Sequence, residues 1–143
     1  MKIGEKLVFG EYEWRILDIQ EDRILILAEE IIEQRDYHNK PGDVTWKECE
    51  LRKYLNGEFY DSFSEKDRTR IIETLNKNPD NPWYESKGGQ DTVDKIFLLS
   101  LDDVVKKYFG DSSKLLDERG SNQRYCSSFN IVLIFSLKPI SLI

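Results

Sequence analysis

Few residues of this chain are suited to covalent chemistry. His38 is the single histidine, and Cys49 and Cys126 are the two thiols. A nucleophilic pair needs thiol and imidazole within hydrogen-bond reach. Cys49 falls in a helical pattern one turn after Trp46, the usual setting of a small buried hydrophobe. Two thiols and one imidazole also fall short of a structural zinc set. Acidic pairs such as Glu29-Glu30 and Asp102-Asp103 are what solvated faces and helix starts use, and no phosphate loop or dinucleotide fingerprint occurs. A hydrolase-like centre would take His38 or a loop carboxylate as general base, with a perturbed carboxylate beside it.

Binding chemistry has better material. From Asn76 to Asp94 the pattern lacks periodicity and is punctuated by Asn78-Pro79-Asp80-Asn81-Pro82 and Gly88-Gly89, so it predicts one long loop. Loops of that length in compact domains are often functional. This one carries Trp83-Tyr84 among Asn81 and Asp91, with Tyr37 and Trp46 upstream. Tyr and Trp combine contact area with a polar edge, as a sugar or peptide surface needs. Tyr37, Trp46, Asn81, Trp83, Tyr84 and Asp91 are therefore the candidate ligand-binding residues. The bland alternative is that Trp46 anchors a helix and Trp83 pins the loop. The loop oxygens of Asn78, Asp80, Asn81, Glu85, Gln90, Asp91 and Asp94 suit calcium in type, yet their spacing lacks a calcium-loop repeat, and Asn and Asp beside Pro and Gly serve tight turns. No metal and no cofactor is expected.

Positioning these residues requires an α+β fold. Lys6 to Phe9, Tyr12 to Ile19 and Arg23 to Ala28 read as an antiparallel β-meander with turns at Gly10-Glu11 and Glu21-Asp22. Three short strands need short helices packed on one face. Thr45-Trp46-Lys47-Glu48 fits a capping box opening a helix through Leu51 and Leu55 to a stop at Gly57. Ser64 to Asp67 opens a second, with Ile71, Ile72 and Leu75 as its stripe. Phe59, Tyr60 and Phe63 form an aromatic link between them. Lys95 to Ser100 reads as a further buried strand, and Leu101 to Phe109 as a third helix closing at Gly110.

Composition narrows the partners. The 143 residues favour one domain, and 12% aromatic content argues against disorder. Lys plus Arg number 21 against 27 Asp plus Glu, for a net charge of −6, which disfavours phosphate backbones and hence nucleic acid. A mean hydropathy of −0.58 excludes a polytopic membrane protein. Met1 to Lys6 contains no secretory pattern, so the default location is cytoplasmic. Residues 129–143 carry one charge, Lys138, and the run Ile131 to Phe135 predicts an apolar C-terminal strand. A span of about 20 apolar residues would have to include that lysine, so no membrane crossing is expected.

Several ordered stretches resemble a bacterial family, domain of unknown function 6273. They are Phe9-Gly10-Glu11-Tyr12-Glu13-Trp14-Arg15-Ile16-Leu17-Asp18, Asp43-Val44-Thr45-Trp46 and Leu51-Arg52-Lys53-Tyr54-Leu55-Asn56-Gly57-Glu58-Phe59-Tyr60. Gly88-Gly89-Gln90-Asp91-Thr92, followed by Asp94-Lys95-Ile96-Phe97-Leu98-Leu99-Ser100, completes the pattern. The resemblance covers about residues 3–110 and implies a binding or surface module, with no activity to carry over. Family members continue into a Trp-Trp-Leu-Arg-Ser-Pro-Gly segment, and nothing after Gly120 resembles it. The expected organisation is one domain, 1–143, with a family-like segment 3–110, a polar linker 111–128 and an apolar tail 129–143. A missing half would leave an open sheet edge for the tail to pair, within the chain or in a homodimer through residues 129–143. The expected function is a non-catalytic module binding a glycan, peptide or protein partner. The alternatives are the hydrolase-like enzyme above, or a truncated copy with no independent function.

Overall fold

The computed structural model describes residues 1–30, 32–80, 87–99, 130–131 and 134–137. Alternating apolar residues build the meander: β1 (Lys6–Phe9), β2 (Tyr12–Ile19) and β3 (Ile24–Ala28) pair antiparallel in that order. The hairpin between β1 and β2 turns at Gly10 and Glu11, both in the left-handed region at φ 60° and 74°. Two positive φ angles match the right-handed strand twist. Glycine is needed at the first of them on two counts, because a Cβ at Gly10 would also enter the Phe63 ring. Trp14 is fully buried and donates its indole N–H to the Phe9 carbonyl at 2.8 Å. A bulge at Leu17 shifts the register, so that Ile16 pairs with Ile26 and Asp18 with Leu25.

All five residues of β3 are buried, as its unbroken hydrophobic run requires. On one face Ile24, Ile26 and Ala28 join Phe9, Trp14, Leu51, Leu55, Phe59 and Phe63 in the main core. On the other, Leu25 and Leu27 meet Phe97. The fold is thus α+β, with short helical segments laid over one face of an antiparallel sheet.

The helical segments depart from the capping expectation. The Thr45 side chain makes no cap bond; residues Trp46–Glu48 form a single 3-10 turn. The helix α1 (Glu50–Tyr54) starts one step later, and the Cys49 sulfur is its cap, accepting from the Arg52 amide at 3.4 Å. Gly57 does not stop the helix, because residues Leu55–Phe59 continue it as a wider π turn. The turn sets Leu55 and Phe59 into the core, where Phe59 meets Phe63 edge to face at 5.4 Å. The Ser64 cap is present: its hydroxyl accepts from the Asp67 amide at 3.1 Å and opens α2 (Glu65–Arg68).

The stripe assigned to a longer second helix is strand instead. Ile71–Ile72 form β5, and Leu75 lies in β6 (Thr74–Asn76). Two adjacent β-branched residues favour extended backbone, and their pairing partner comes from the far end of the chain. The segment expected as one loop is correspondingly shorter: β6 pairs with β7 (Thr92–Asp94), leaving Leu75 and Val93 as exposed partners. The strand expected over Lys95 to Ser100 is β8 (Ile96–Phe97), both residues buried.

Two strands come from the apolar tail. β9 (Asn130–Ile131) pairs with β4 (Glu33–Gln34). β10 (Ile134–Leu137) lies against β3 on one side and against β5 and β8 on the other. It joins the meander to the second group of strands in a six-stranded sheet. Of the two expected ways for the tail to pair, the described residues show the one within the chain: both edges of β10 are paired there. The expected third helix and the polar linker lie outside the described residues. Among the described residues, no helix is long and apolar enough to cross a membrane.

Candidate binding site

The polar centre of the molecule is Asp94, the last residue of β7, 1% exposed. One carboxylate oxygen accepts from the Arg52 Nε at 2.6 Å. The other accepts from the Trp46 indole at 2.9 Å, the Asn76 amide at 3.0 Å and the Thr92 hydroxyl at 2.6 Å. A carboxylate offers about four acceptor sites. Protein donors supply four bonds, one to Oδ1 and three to Oδ2. Burial by itself would raise the Asp94 pKa; the hydrogen bonds from Thr92, Trp46, Asn76 and Arg52 outweigh it and hold the group below its usual range. The residue is a charged fastener between the helical segment and the β6–β7 ribbon.

Asn56 extends the fastening one strand further. Its Oδ1 accepts from the Lys95 and Ile96 amides at 2.7 and 3.1 Å. Its Nδ2 donates to the Arg52 and Ile96 carbonyls at 3.0 and 2.9 Å. Both ends of the side-chain amide are used, so β8 is held to the π turn through its backbone.

The base of the loop is tied by its own polar residues. Asn78 donates to the Gln90 carbonyl at 2.7 Å, and Asp80 accepts from the Gly88 amide at 3.0 Å and from Lys87 at 3.2 Å. The Gly88 amide, more than Lys87, keeps the Asp80 carboxyl below its usual range. A Cβ at Gly88 would strike the carbonyls of Asn78 and Pro79, so glycine permits the two loop arms to close. Among the described residues, no three His, Cys, Asp or Glu side chains gather as a metal site would require.

Of the six candidate ligand residues, Tyr37 and Trp46 come together, with ring centroids 6.2 Å apart and planes at 40°. Trp46 is half-buried and held by Asp94 through its N–H, so it anchors the fold whatever else its ring does. Tyr37 is 41% exposed. Burial, with the neighbouring Cys49 thiol, pushes its hydroxyl pKa well up. Burial likewise raises the Cys49 thiol, which is fully buried and stays protonated at neutral pH. Asp91 is exposed beside the loop base. Asn81, Trp83 and Tyr84 lie outside the described residues.

His38 is half-buried, and its Nδ1 accepts from the Glu50 amide at 3.3 Å. This bond is one of three joining the 35–39 segment to the start of α1. The Tyr37 carbonyl accepts from the Leu51 amide at 3.1 Å, and Glu50 accepts from the Asn39 amide at 3.2 Å. Between segment and helix runs an open groove of about 160 Å³ lined by Arg35, Asp36, Asn39, Glu50, Leu51 and Tyr54. The Arg35 guanidinium lies 3.5 Å from the centre of the Tyr54 ring and pairs with Glu33 at 3.1 Å. Glu33 also accepts from the Tyr54 hydroxyl at 2.8 Å. Burial and that bond raise the Tyr54 pKa.

Sequence reasoning missed both the Asp94 network and the groove. For the network a signal existed. Arg52, Asn56 and Asp94 all fall within the stretches that carry the family pattern, and Asp94 is a charge immediately preceding a buried strand. The family model described as "Domain of unknown function (DUF6273)" matches residues 21–132. The chain belongs to this family. The match takes in every residue of the Asp94 network and of the groove, and it extends beyond residue 110 into the segment read as a linker. No curated protein and no solved structure matches the chain.

Proposed function

We propose that the chain is a non-catalytic binding module for a glycan, peptide or protein partner. The observation that carries the reading is the Tyr37–Trp46 pair, one ring open to solvent and the other held rigid by Asp94. A fixed aromatic beside an exposed one offers contact area with little rotamer entropy to lose on binding. Asp91 and the loop residues Asn81, Trp83 and Tyr84 complete the proposed surface. The commitments of the other groups weigh for binding over catalysis. Asp94 is buried and held by four protein donors, Cys49 is buried and neutral, and His38 uses Nδ1 to hold the Glu50 amide.

The test is a screen of the full chain on glycan and peptide arrays, repeated with Tyr37→Ala and Trp83→Ala. The reading predicts a ligand whose signal falls at least tenfold in both variants. A ligand bound equally by both variants and the parent would overturn it.

A further inference from the structure

Gly57 is a glycine that the fold does not require. Its φ is not in the left-handed region, and among the described residues no atom lies within 4 Å of where a Cβ would stand. It sits inside the π turn Leu55–Phe59, where alanine would suit helical backbone better. The residue before it is the reverse case. Asn56 uses both ends of its side-chain amide: Oδ1 accepts from the Lys95 and Ile96 amides, and Nδ2 donates to the Arg52 and Ile96 carbonyls. The glycine that packing leaves unexplained follows the asparagine that holds β8.

In an Asn-Gly pair the asparagine side chain is open to attack by the chain's own next nitrogen, because glycine has no side chain to shield it. The Gly57 nitrogen, its proton taken by hydroxide, attacks the Asn56 Cγ. The Cγ–Nδ2 bond breaks, ammonia leaves, and a cyclic succinimide remains. Water then opens the ring at either carbonyl, giving aspartate or isoaspartate, with no change of oxidation state. Ring closure requires Cγ to swing onto the Gly57 nitrogen and the Asn56 ψ to leave the helical range. In the folded chain the π turn fixes that backbone, and four hydrogen bonds pin the amide against Arg52 and β8.

We propose that Asn56–Gly57 is a deamidation site gated by the fold: protected in the native chain, it reacts once the π turn opens, and the product no longer fastens β8. Either product replaces the Nδ2 donor with a carboxylate oxygen, which has no hydrogen to give the Arg52 and Ile96 carbonyls. Isoaspartate also adds a carbon to the main chain inside the turn. Loss of ammonia to solvent makes the change one-way, so local opening marks the chain permanently and limits its working life.

The test incubates the full chain in mildly alkaline buffer, with and without urea above the unfolding midpoint, and follows residue 56 by peptide mapping with mass spectrometry. Conversion at Asn56 is expected at least tenfold faster in urea. On return to native buffer, modified chains should unfold at a lower urea midpoint than unmodified ones. Gly57→Ala should melt no lower than the parent and slow the reaction in urea at least tenfold. Equal conversion rates with and without urea would overturn the gating. Modified chains that recover the parent's midpoint would overturn the consequence for β8. Conversion confined to other asparagines, or undiminished in Gly57→Ala, would overturn the site itself.

Discussion

The Asp94 network and the groove along α1 use the same kinds of residue to opposite effect. Each has a carboxylate, an arginine, an asparagine and an aromatic ring. In the network both oxygens of Asp94 meet protein donors, four bonds in all, and the group is buried. In the groove, Arg35 is fixed by Glu33 while Asp36 and Asn39 face solvent without protein partners among the described residues. Burial and protein donors distinguish the two regions better than residue type does. A buried carboxylate held by protein donors fastens the fold; an exposed one without them faces water.

Both regions depend on the sheet, so the harshest way to break the comparison is to remove the strand that joins it. Deleting residues 129–143 takes β10 from between β3 and β8 and exposes a row of unpaired backbone groups. The expected outcome is loss of a cooperative thermal transition in circular dichroism. A soluble monomer melting at the parent temperature would mean that the Asp94 and Asn56 contacts hold β8 unaided.

Asn56→Ala is the next largest test. It strands the Lys95 and Ile96 amides and takes a donor from the Ile96 carbonyl, while the Arg52 carbonyl keeps the Leu55 amide. Each buried unsatisfied group costs about 1–3 kcal/mol, and water reaches part of the site, so a net loss of about 2–4 kcal/mol is expected in urea unfolding. A loss under about 0.5 kcal/mol, the level of a surface change, would show that the network is decorative.

The pH dependence sharpens the same contrast. A carboxyl with a depressed folded pKa stabilises the fold above its unfolded pKa, about 3.9 for Asp, and that stability is lost as pH falls through the folded value. Asp94 is depressed, so stability should decline from about pH 4 downward. Glu29, lowered by its bond to Arg15 at 2.8 Å, adds a slope of the same sign from its own higher range. Asp94→Asn should therefore give a shallower acid slope than the parent, measured by urea midpoints between pH 2 and pH 5. Equal slopes in parent and Asp94→Asn would refute the assignment.

The smallest effect concerns the groove wall. Tyr54→Phe removes one hydrogen bond to Glu33 and keeps the ring under Arg35, for an expected cost of about 1 kcal/mol. A cost above about 3 kcal/mol would place Tyr54 in the core network instead.

Much of the frame is legible in the residues because it is local. The β1–β2–β3 meander follows from alternation within each strand, the Gly10-Glu11 turn from its glycine, and the α2 start from Ser64. The errors arise where distant pairing overrides a local period. Ile71, Ile72 and Leu75 have helical spacing, yet β10 draws the isoleucines into the sheet. Thr45 and Glu48 match a capping box, but the chain turns once before Cys49 caps the helix. The candidate site was half legible. Tyr37 and Trp46 carry the signal of aromatic type, whereas Arg52 and Asp94 meet across 42 positions of sequence. The groove was illegible because its polar residues look like ordinary surface; backbone bonds between the 35–39 segment and α1 create it.

The central claim is that the buried, donor-held carboxylate and the exposed one play different parts, and one side-by-side measurement addresses it directly: urea unfolding of Asp94→Asn against the double variant Asp36→Asn/Asn39→Ala. Breaking the buried Asp94–Arg52 pair is expected to cost about 3–5 kcal/mol, while the groove variant stays within about 0.5 kcal/mol of the parent. Similar losses in the two proteins, or a larger loss in the groove variant, would contradict the account.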